Sequence, residues 1–263
     1  MPISPRLALL VIAPLLMVQT AHADTGIGTA ADITTQVTAA SAGVASPLVK
    51  GAAVYQNQII VTDANGIGQI LFVDGTKLAI GPGSTMTLDT FVFNPDKTAN
   101  KVVIELGKGS FRFITGKSQH DAYDISTATA TLGLRGTAFD VTVAEDGEMA
   151  VAMLDGEINA CSKVNGFCQI HNLVGKFLRI TPNGIFSIHD TWDGTFMRGV
   201  RFAEALPFTA NQKVLRPAFK TTTRVANTYL KTAGQTAENV VKTPVKALKP
   251  AGDFIKKLNP FKN

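Results

Sequence analysis

This chain of 263 residues lacks the short motifs by which several enzyme classes are recognised. It contains no Gly-x-Ser-x-Gly, no His-Glu-x-x-His and no complete dinucleotide-binding fingerprint, which excludes the enzyme classes that those motifs mark. Gly116-Lys117-Ser118 looks like the end of a phosphate-binding loop, but Phe111 stands where such a loop needs its first glycine. Histidine is scarce, and nothing in the sequence brings His120, His171 and His189 together. We expect neither a metal nor a cofactor.

Long apolar runs are also missing, apart from one near the start of the chain. Residues 7–18 are apolar, which is shorter than the roughly 20 residues that a membrane-spanning helix needs. Arg6 precedes this run, and Ala21-His22-Ala23 has the small-x-small spacing of a signal-peptide cleavage site. The pattern predicts a signal peptide over residues 1–23, cleaved before Asp24, and a mature protein that is periplasmic or secreted.

Cysteine is limited to Cys161 and Cys168, which flank an Asn165-Gly166 turn signal between two strand-like runs. Facing strand positions bring Cα atoms within the roughly 7 Å that a disulfide allows. We therefore expect a Cys161–Cys168 disulfide, which fits an oxidising compartment. A metal pair that includes His171 is the alternative, but these three side chains fall short of the four ligands of a structural zinc site.

Acidic residues are nearly absent from the last quarter of the chain. Residues 198–263 carry 13 Lys and Arg against three Asp and Glu, whereas residues 24–197 carry 11 against 17. This asymmetry suggests an anionic partner for the basic end, or its folding back onto the acidic part. Export and the lack of a nucleic-acid-binding motif argue against nucleic acid, which leaves membrane or cell-wall contact through residues 207–263. A solubilising tail is the plainer interpretation.

The sequence does contain a regular succession of short strands and turns. Runs of four to eight residues, rich in Val, Ile, Thr and Phe, predict a mainly β fold over residues 51–190, either a sandwich, a barrel or a β-helical roll. The turn signals between them are Asn65-Gly66, Asp74-Gly75, Pro82-Gly83, Asn94-Pro95-Asp96, Asp146-Gly147, Asp155-Gly156, Asn165-Gly166 and Asn183-Gly184. Residues 24–50 are predicted to be a flexible lead-in or a loosely packed first element. Residues 191–263 are predicted to be a basic C-terminal tail, partly helical or disordered.

Individual positions follow from the two-residue period of a strand. Phe111 and Phe113 are predicted to share the core face, together with Phe139, which leaves Arg112 pointing outward. Asp74 is explained by the turn that it shares with Gly75, because aspartate readily accepts hydrogen bonds from neighbouring backbone amides.

The segment Leu132–Thr137 places Arg135 between Gly133 and Gly136 in the middle of strand-type sequence. Flanking glycines let other backbone approach closely, and a crowded arginine needs carboxylate or carbonyl partners. One interpretation is a buried or half-buried guanidinium that ties strands together through carbonyls or Asp140. The other is an exposed anchor for a partner's carboxylate or a ligand.

With Phe72–Ser84, Leu88–Pro95 and Lys108–Lys117, this segment resembles the FecR family, the periplasmic domain of ferric-citrate-type regulators. The resemblance covers roughly residues 70–160, rests on four ordered motifs, and implies a compact antiparallel β-roll. Where the family usually has Thr-Pro ahead of the arginine motif, this chain reads Thr127-Ala128-Thr129-Ala130.

The resemblance also implies a signalling role. Regulators of this kind combine a cytoplasmic segment, one membrane span and the periplasmic domain, whereas this chain starts with a predicted export signal. If it signals, we expect it to act through a separate transmembrane partner.

Three functional hypotheses follow. The first is an exported, non-enzymatic binding module of the cell envelope that recognises an envelope protein or a glycan. The second is a structural or adhesive surface protein held to anionic polymer by its basic end. The third is a carbohydrate-active enzyme, for which the acid pairs Asp121/Asp124 and Asp74/Asp89 are the candidates because glycosidases use two carboxyl groups about 5–10 Å apart.

Overall fold

The computed structural model describes residues 25–193 and 196–233. Within these ranges the chain forms sixteen strands in one sheet, three short α-helices and four 3-10 segments, which confirms the predicted mainly β fold. The strands are β1 (Gly28–Thr34), β2 (Val37–Ser41), β3 (Val44–Pro47), β4 (Ala53–Val54), β5 (Gln58–Thr62), β6 (Ile67–Phe72), β7 (Lys77–Ile80), β8 (Thr85–Phe93), β9 (Ala99–Leu106), β10 (Gly109–Ile114), β11 (Tyr123–Ser126), β12 (Ala130–Val143), β13 (Met149–Ser162), β14 (Cys168–His171), β15 (Phe177–Ile180) and β16 (Phe186–His189). The helices are α1 (Phe202–Ala205), α2 (Pro207–Ala210) and α3 (Thr223–Thr232), and the 3-10 segments are His120–Ala122, Phe196–Gly199, Gln212–Val214 and Pro217–Phe219.

The sheet curls into a half-barrel whose neighbouring strands are antiparallel, except for the parallel pair β9 and β11. Its order is β3-β2-β5-β8-β9-β11-β12-β10-β7-β6-β1-β4, and β13 pairs along the other edge of β12. Several strands that follow one another along the chain pair as hairpins, for example β6 with β7 and β12 with β13, which is what the closely spaced turn signals indicate.

The longest strands, β12 and β13, have 14 residues each, and each belongs to two parts of the sheet. The first half of β12 pairs with β11 and its second half with β10. In the same way, the first half of β13 pairs with β15 and its second half with β14. The register between the two long strands shifts after Arg135, so the change of partner coincides with a β-bulge.

The main apolar core lies against the inner face of the sheet. Phe111, Phe113 and Phe139 are all buried there, as the alternation along their strands predicts. The rings of Phe113 and Phe139 lie 5.9 Å apart between centroids.

Residues 28–47 are strands of this sheet and not a flexible lead-in. β1 pairs with β6 and β4, and β2 pairs with β5. The flexible interpretation was wrong because these strands are rich in alanine and threonine, whose low hydrophobicity conceals a regular alternation. Val37 and Ala39 are buried while Thr38 between them is partly exposed.

Residues 196–233, called the strap from here on, pack across the outer face of the sheet, the face away from the main core. Phe196, Phe202 and Tyr229 of the strap are buried in a second apolar cluster with Phe177 of β15. The Tyr229 hydroxyl donates a hydrogen bond to the carbonyl oxygen of Met153 at 2.6 Å. This part of the predicted tail is therefore folded, because its apolar residues match an apolar stripe on β13 and β15.

The other predictions at the two ends fall outside the described residues. These are the signal peptide over residues 1–23 and the basic end from residue 234 to residue 263. In residues 25–193 and 196–233, no helix is both long enough and apolar enough to cross a membrane.

Candidate functional site

The arginine motif forms the bulge at which β12 and β13 bend. The Thr137 hydroxyl accepts a hydrogen bond from the Arg135 amide at 2.8 Å and donates one to the Glu157 carbonyl oxygen at 2.8 Å. The Thr137 amide donates to the Thr115 hydroxyl oxygen at 2.9 Å. Thr137 therefore fixes the bulge to both neighbouring strands, which is a structural role.

Two facing glycines make this bulge sterically feasible. Gly136 has a φ of 57° and Gly156 on β13 has a φ of 78°, in the region that favours glycine. A Cβ atom on Gly156 would lie 2.1 Å from the Gly136 carbonyl oxygen, so a larger residue would displace backbone. Asp155-Gly156 is consequently the interior of a bulged strand and not the turn that its sequence indicated.

The bulge also offsets the alternation of side chains along β12 by one residue. Before it, Thr131, Gly133 and Arg135 lie on the outer face. After it, Asp140 lies on that face while Phe139 points into the main core. The strap covers the second half of this outer face and leaves the first half open to solvent.

Arg112 is fully buried, so the prediction that it points into solvent was wrong. It does lie on the opposite face from Phe111 and Phe113, but that face is covered by the strap. Its Nε and Nη2 atoms donate to the two carboxylate oxygens of Asp140 at 2.6 and 2.7 Å. Thr209 of the strap accepts from Arg112 at 3.1 Å and donates to Asp140 at 2.6 Å.

The Arg135 side chain is exposed, whereas its position between two glycines suggested a crowded site. Asp140, the carboxylate considered as its partner, is already bound to Arg112. Glu157 is its directly opposite neighbour on β13, yet no ion pair joins them. In the described part of the chain, no hydrogen bond or ion pair holds the Arg135 guanidinium.

The open half of the outer face contains a cleft of about 880 Å³, called the outer cleft from here on. One row of facing residues crosses it, from Asp124 on β11 through Gly133 and Asn159 to Ile170 on β14. Asp124, Asn159 and Ile170 are exposed, so the glycine leaves a gap between side chains. The lining residues also include Gln119, Asp121, Tyr123, Thr131, Leu134, Arg135, Glu157 and Cys161.

Asp74 is buried beneath this region and has more partners than a turn residue needs. Its carboxylate accepts hydrogen bonds from the Thr76 amide at 2.9 Å, the Ser118 hydroxyl at 2.9 Å and the Tyr123 hydroxyl at 2.6 Å. Burial and the bond to Asp74 raise the pKa of the Tyr123 phenol. Gly75 has a φ of 86°, as expected in the predicted turn. Asp74 therefore joins the β6–β7 turn to β11 and is not in the outer cleft.

Comparison with protein families explains why these motifs occur in this order. The FecR family model, described as FecR protein, matches residues 58–159, which is less than half of the chain. Residues 58–159 form a FecR domain. The matched range includes the bulge, the Arg112–Asp140 pair and most of the outer cleft. The sheet continues beyond the FecR domain on both sides, through β1 to β4 and through β14 to β16.

Two solved structures are similar to the chain. Both are crystal structures of a proposed anti-sigma factor from Parabacteroides distasonis ATCC 8503, at 2.50 and 1.65 Å resolution. Each is 18% identical, with a TM-score of 0.40, and the match covers 50% of this chain and 58% of the other. The chain thus spans little more than half the length of the protein that it matches. No curated protein matches this chain.

The predicted disulfide next to the FecR domain is confirmed. Cys161 and Cys168 face each other on β13 and β14, with their Cα atoms 4.0 Å apart. Within the described residues, no group of three or more His, Cys, Asp or Glu side chains is placed to hold a metal ion. His171 ends β14 as a buried side chain whose ring nitrogens make no hydrogen bond of good geometry. Burial lowers the pKa of His171 to about 4, opposed only in part by the nearby Lys176 backbone.

Several residues of this region escaped the sequence analysis. Thr209 and Asn159 carried no local signal, because their partners lie on distant segments. Asp121 and Asp124 were considered only as a catalytic pair, and they do line one cleft, whereas Asp74 is buried in its own network and Asp89 does not line this cleft.

Proposed function

We propose that this protein is an exported, non-enzymatic interaction module of the cell envelope, and that the outer cleft is its recognition surface. One observation carries the proposal: the Arg135 guanidinium is exposed and unpaired, although Glu157 lies directly opposite. An arginine that neither packs in the core nor pairs with its neighbour contributes little to stability, while its five fixed donors suit an external acceptor. The predicted leader and the periplasmic location of FecR domains support export.

The unit that we propose for recognition is larger than residues 51–190. β2 and β3 complete one end of the strand order and β1 and β4 the other, and the strap covers half of the outer face of the sheet. We therefore propose a single domain over residues 25–233.

Replacing Arg135 with alanine is expected to weaken retention on washed cell envelopes about tenfold or more, since a hydrogen bond to a charged group contributes about 1.5–3 kcal/mol. The melting temperature should stay unchanged, because no contact within the fold is lost. Sedimentation with envelopes and thermal unfolding measure the two effects. Lys101→Ala is the control, because Lys101 is an exposed cation on β9 that neither lines the outer cleft nor belongs to the strap. A lowered melting temperature with full retention would show that Arg135 is structural.

Attachment of the protein to an anionic surface through its basic end, residues 207–263, is a second candidate function. The exposed cations of the strap favour it. Those between residues 211 and 233 have no carboxylate neighbour in that segment, which contains no Asp or Glu. They are Lys213, Arg216, Lys220, Arg224 and Lys231. This arrangement suits an anionic polymer or a headgroup surface.

Deleting residues 234–263 tests this second candidate. If the basic end is the anchor, retention of the intact chain should fall as salt rises from low to physiological concentration. The deletion removes six lysines but leaves the strap cations in place, so it should weaken retention and reduce its salt dependence. Equal retention of both forms at every salt concentration would contradict it. The deletion must not begin at residue 207, because that would remove Thr209 and Phe219 from the buried Arg112.

Hydrolysis of a glycan is not favoured by the same cleft. Asp121 and Asp124 both line it, so a pair of carboxyl groups is available. However, a catalytic acid usually lies in surroundings that raise its pKa, and both of these side chains are exposed on an open face.

A further inference from the structure

Gly133 occupies the centre of the outer cleft without any structural need for a glycine. It lies inside β12, where glycine is unfavourable because it has no side chain to pack. Its φ is not positive, in contrast to Gly136 and Gly156. A Cβ atom on Gly133 would meet only the Asn159 carbonyl oxygen at 3.8 Å, an ordinary contact. The remaining reason for glycine in a strand is the close approach of another molecule.

The gap over Gly133 has definite dimensions and walls. The strands on either side, β11 and β13, carry Asp124 and Asn159 directly opposite the glycine. Neighbouring strands lie about 4.8 Å apart, so these two walls are separated by roughly 10 Å. Arg135 and Glu157 form the next row along the same strands. A flat group that lies on Gly133 would be within reach of a carboxylate, an amide and a guanidinium.

We infer that the ligand of this gap is a glycan, either neutral or amino-substituted. This inference rests on the proposed function. Sugar hydroxyls both donate and accept, and the cleft offers acceptors on Asp124 and Glu157, donors on Arg135, and both on Asn159. The centre of a protein–protein interface is instead depleted of charge and enriched in aromatic residues. The cleft has no exposed aromatic side chain among its lining residues.

The charge of the cleft restricts the glycan further. Asp121, Asp124 and Glu157 outnumber the single guanidinium of Arg135. An anionic polymer would therefore be repelled from this surface, although it would suit the basic strap on the covered half of the sheet. The two surfaces would select ligands of opposite charge.

Titration calorimetry of the chain from Asp24 to Asn263 tests the inference with three probes. These are oligomers of N-acetylglucosamine (neutral), of glucosamine (cationic) and of galacturonate (anionic). We expect binding of the neutral or the cationic oligomer, no binding of the anionic one, and no increase in reducing ends during the measurement. Binding of the galacturonate oligomer alone, or of none of the three, would overturn the inference, and new reducing ends would point to hydrolysis.

Gly133→Val provides the decisive variant. It should weaken glycan binding at least tenfold by filling the gap, while its melting temperature stays equal or rises, because valine suits a strand better than glycine. Ala45→Val is the control, since it adds bulk at an exposed strand position outside the cleft. A lowered melting temperature for Gly133→Val would give the glycine a structural role and end the inference.

Envelope retention separates this inference from the proposed function. If Gly133→Val and Arg135→Ala abolish retention but no oligomer binds, the cleft recognises another envelope component and only the glycan inference fails. If neither variant changes retention, the recognition surface lies elsewhere and both proposals fail.

Discussion

The Asp140→Ala variant is expected to lose about 3–5 kcal/mol of its free energy of unfolding, because it leaves the buried Arg112 guanidinium without its carboxylate. Arg112 is 0% exposed and its ion pair with Asp140 spans 2.6 Å. Thr209 would lose its acceptor at the same time, which weakens the attachment of the strap. Urea unfolding, followed by the fluorescence of Trp192 beside the strap, measures both the loss of stability and the release of the strap.

The control removes both charges together. Arg112→Met with Asp140→Leu replaces the pair by apolar groups of similar size, and such replacements are often neutral or stabilising. We therefore expect the double variant to be more stable than Asp140→Ala alone. If the single variant unfolded at the same urea concentration as the unaltered protein, the pair would not hold the strap.

Lowering the pH from about 6.5 to about 4 is expected to remove about 3 kcal/mol of stability through His171, whose pKa in the folded protein is about 4. Above the pKa of the unfolded state the imidazole is neutral in both states, and the contribution of His171 to the free energy of unfolding is fully present. Between the two pKa values only the unfolded chain binds the proton, which favours unfolding. Below the folded pKa the contribution is lost.

His171→Leu isolates this effect from the titration of the carboxylates. The variant keeps a buried apolar group at the end of β14 but cannot bind a proton. The stability difference between the unaltered protein and the variant, measured by urea unfolding at pH 7.5 and pH 4.5, should shift by about 2–3 kcal/mol against the unaltered protein at the lower pH. A difference that stays constant with pH would mean that His171 is accessible to protons in the folded state.

Sequence reasoning succeeded where the relevant contacts are local. The disulfide follows from two cysteines that flank an Asn-Gly turn, and the burial of Phe111 and Phe113 follows from alternation within one strand. Such contacts join residues a few positions apart, so their geometry is largely determined by the turn between them. The mainly β fold was predictable for the same reason.

It failed where the partner is distant along the chain. Arg112 and Thr209 are separated by 97 positions, and no pattern around Arg112 indicates that a later segment will cover it. Asp140 binds Arg112 and is therefore not available to Arg135, and no local pattern decides between the two interpretations of Arg135. Gly133 shows the reverse case, because its importance becomes visible only when the structure shows that the fold does not require it.

The strap is the last part of the described chain, and this position determines the order in which the sheet and the strap can fold. Every strand in the described part of the chain precedes residue 190, so these strands can associate before Thr209 and Phe219 are present. Until then Arg112 and Asp140 face water, and the apolar stripe around Phe177 is uncovered. A chain that emerges with its N-terminus first therefore passes through a stage in which the sheet has formed but its outer face still exposes apolar side chains. Burial of the ion pair therefore follows formation of the sheet, and it requires that the chain has emerged as far as Phe219.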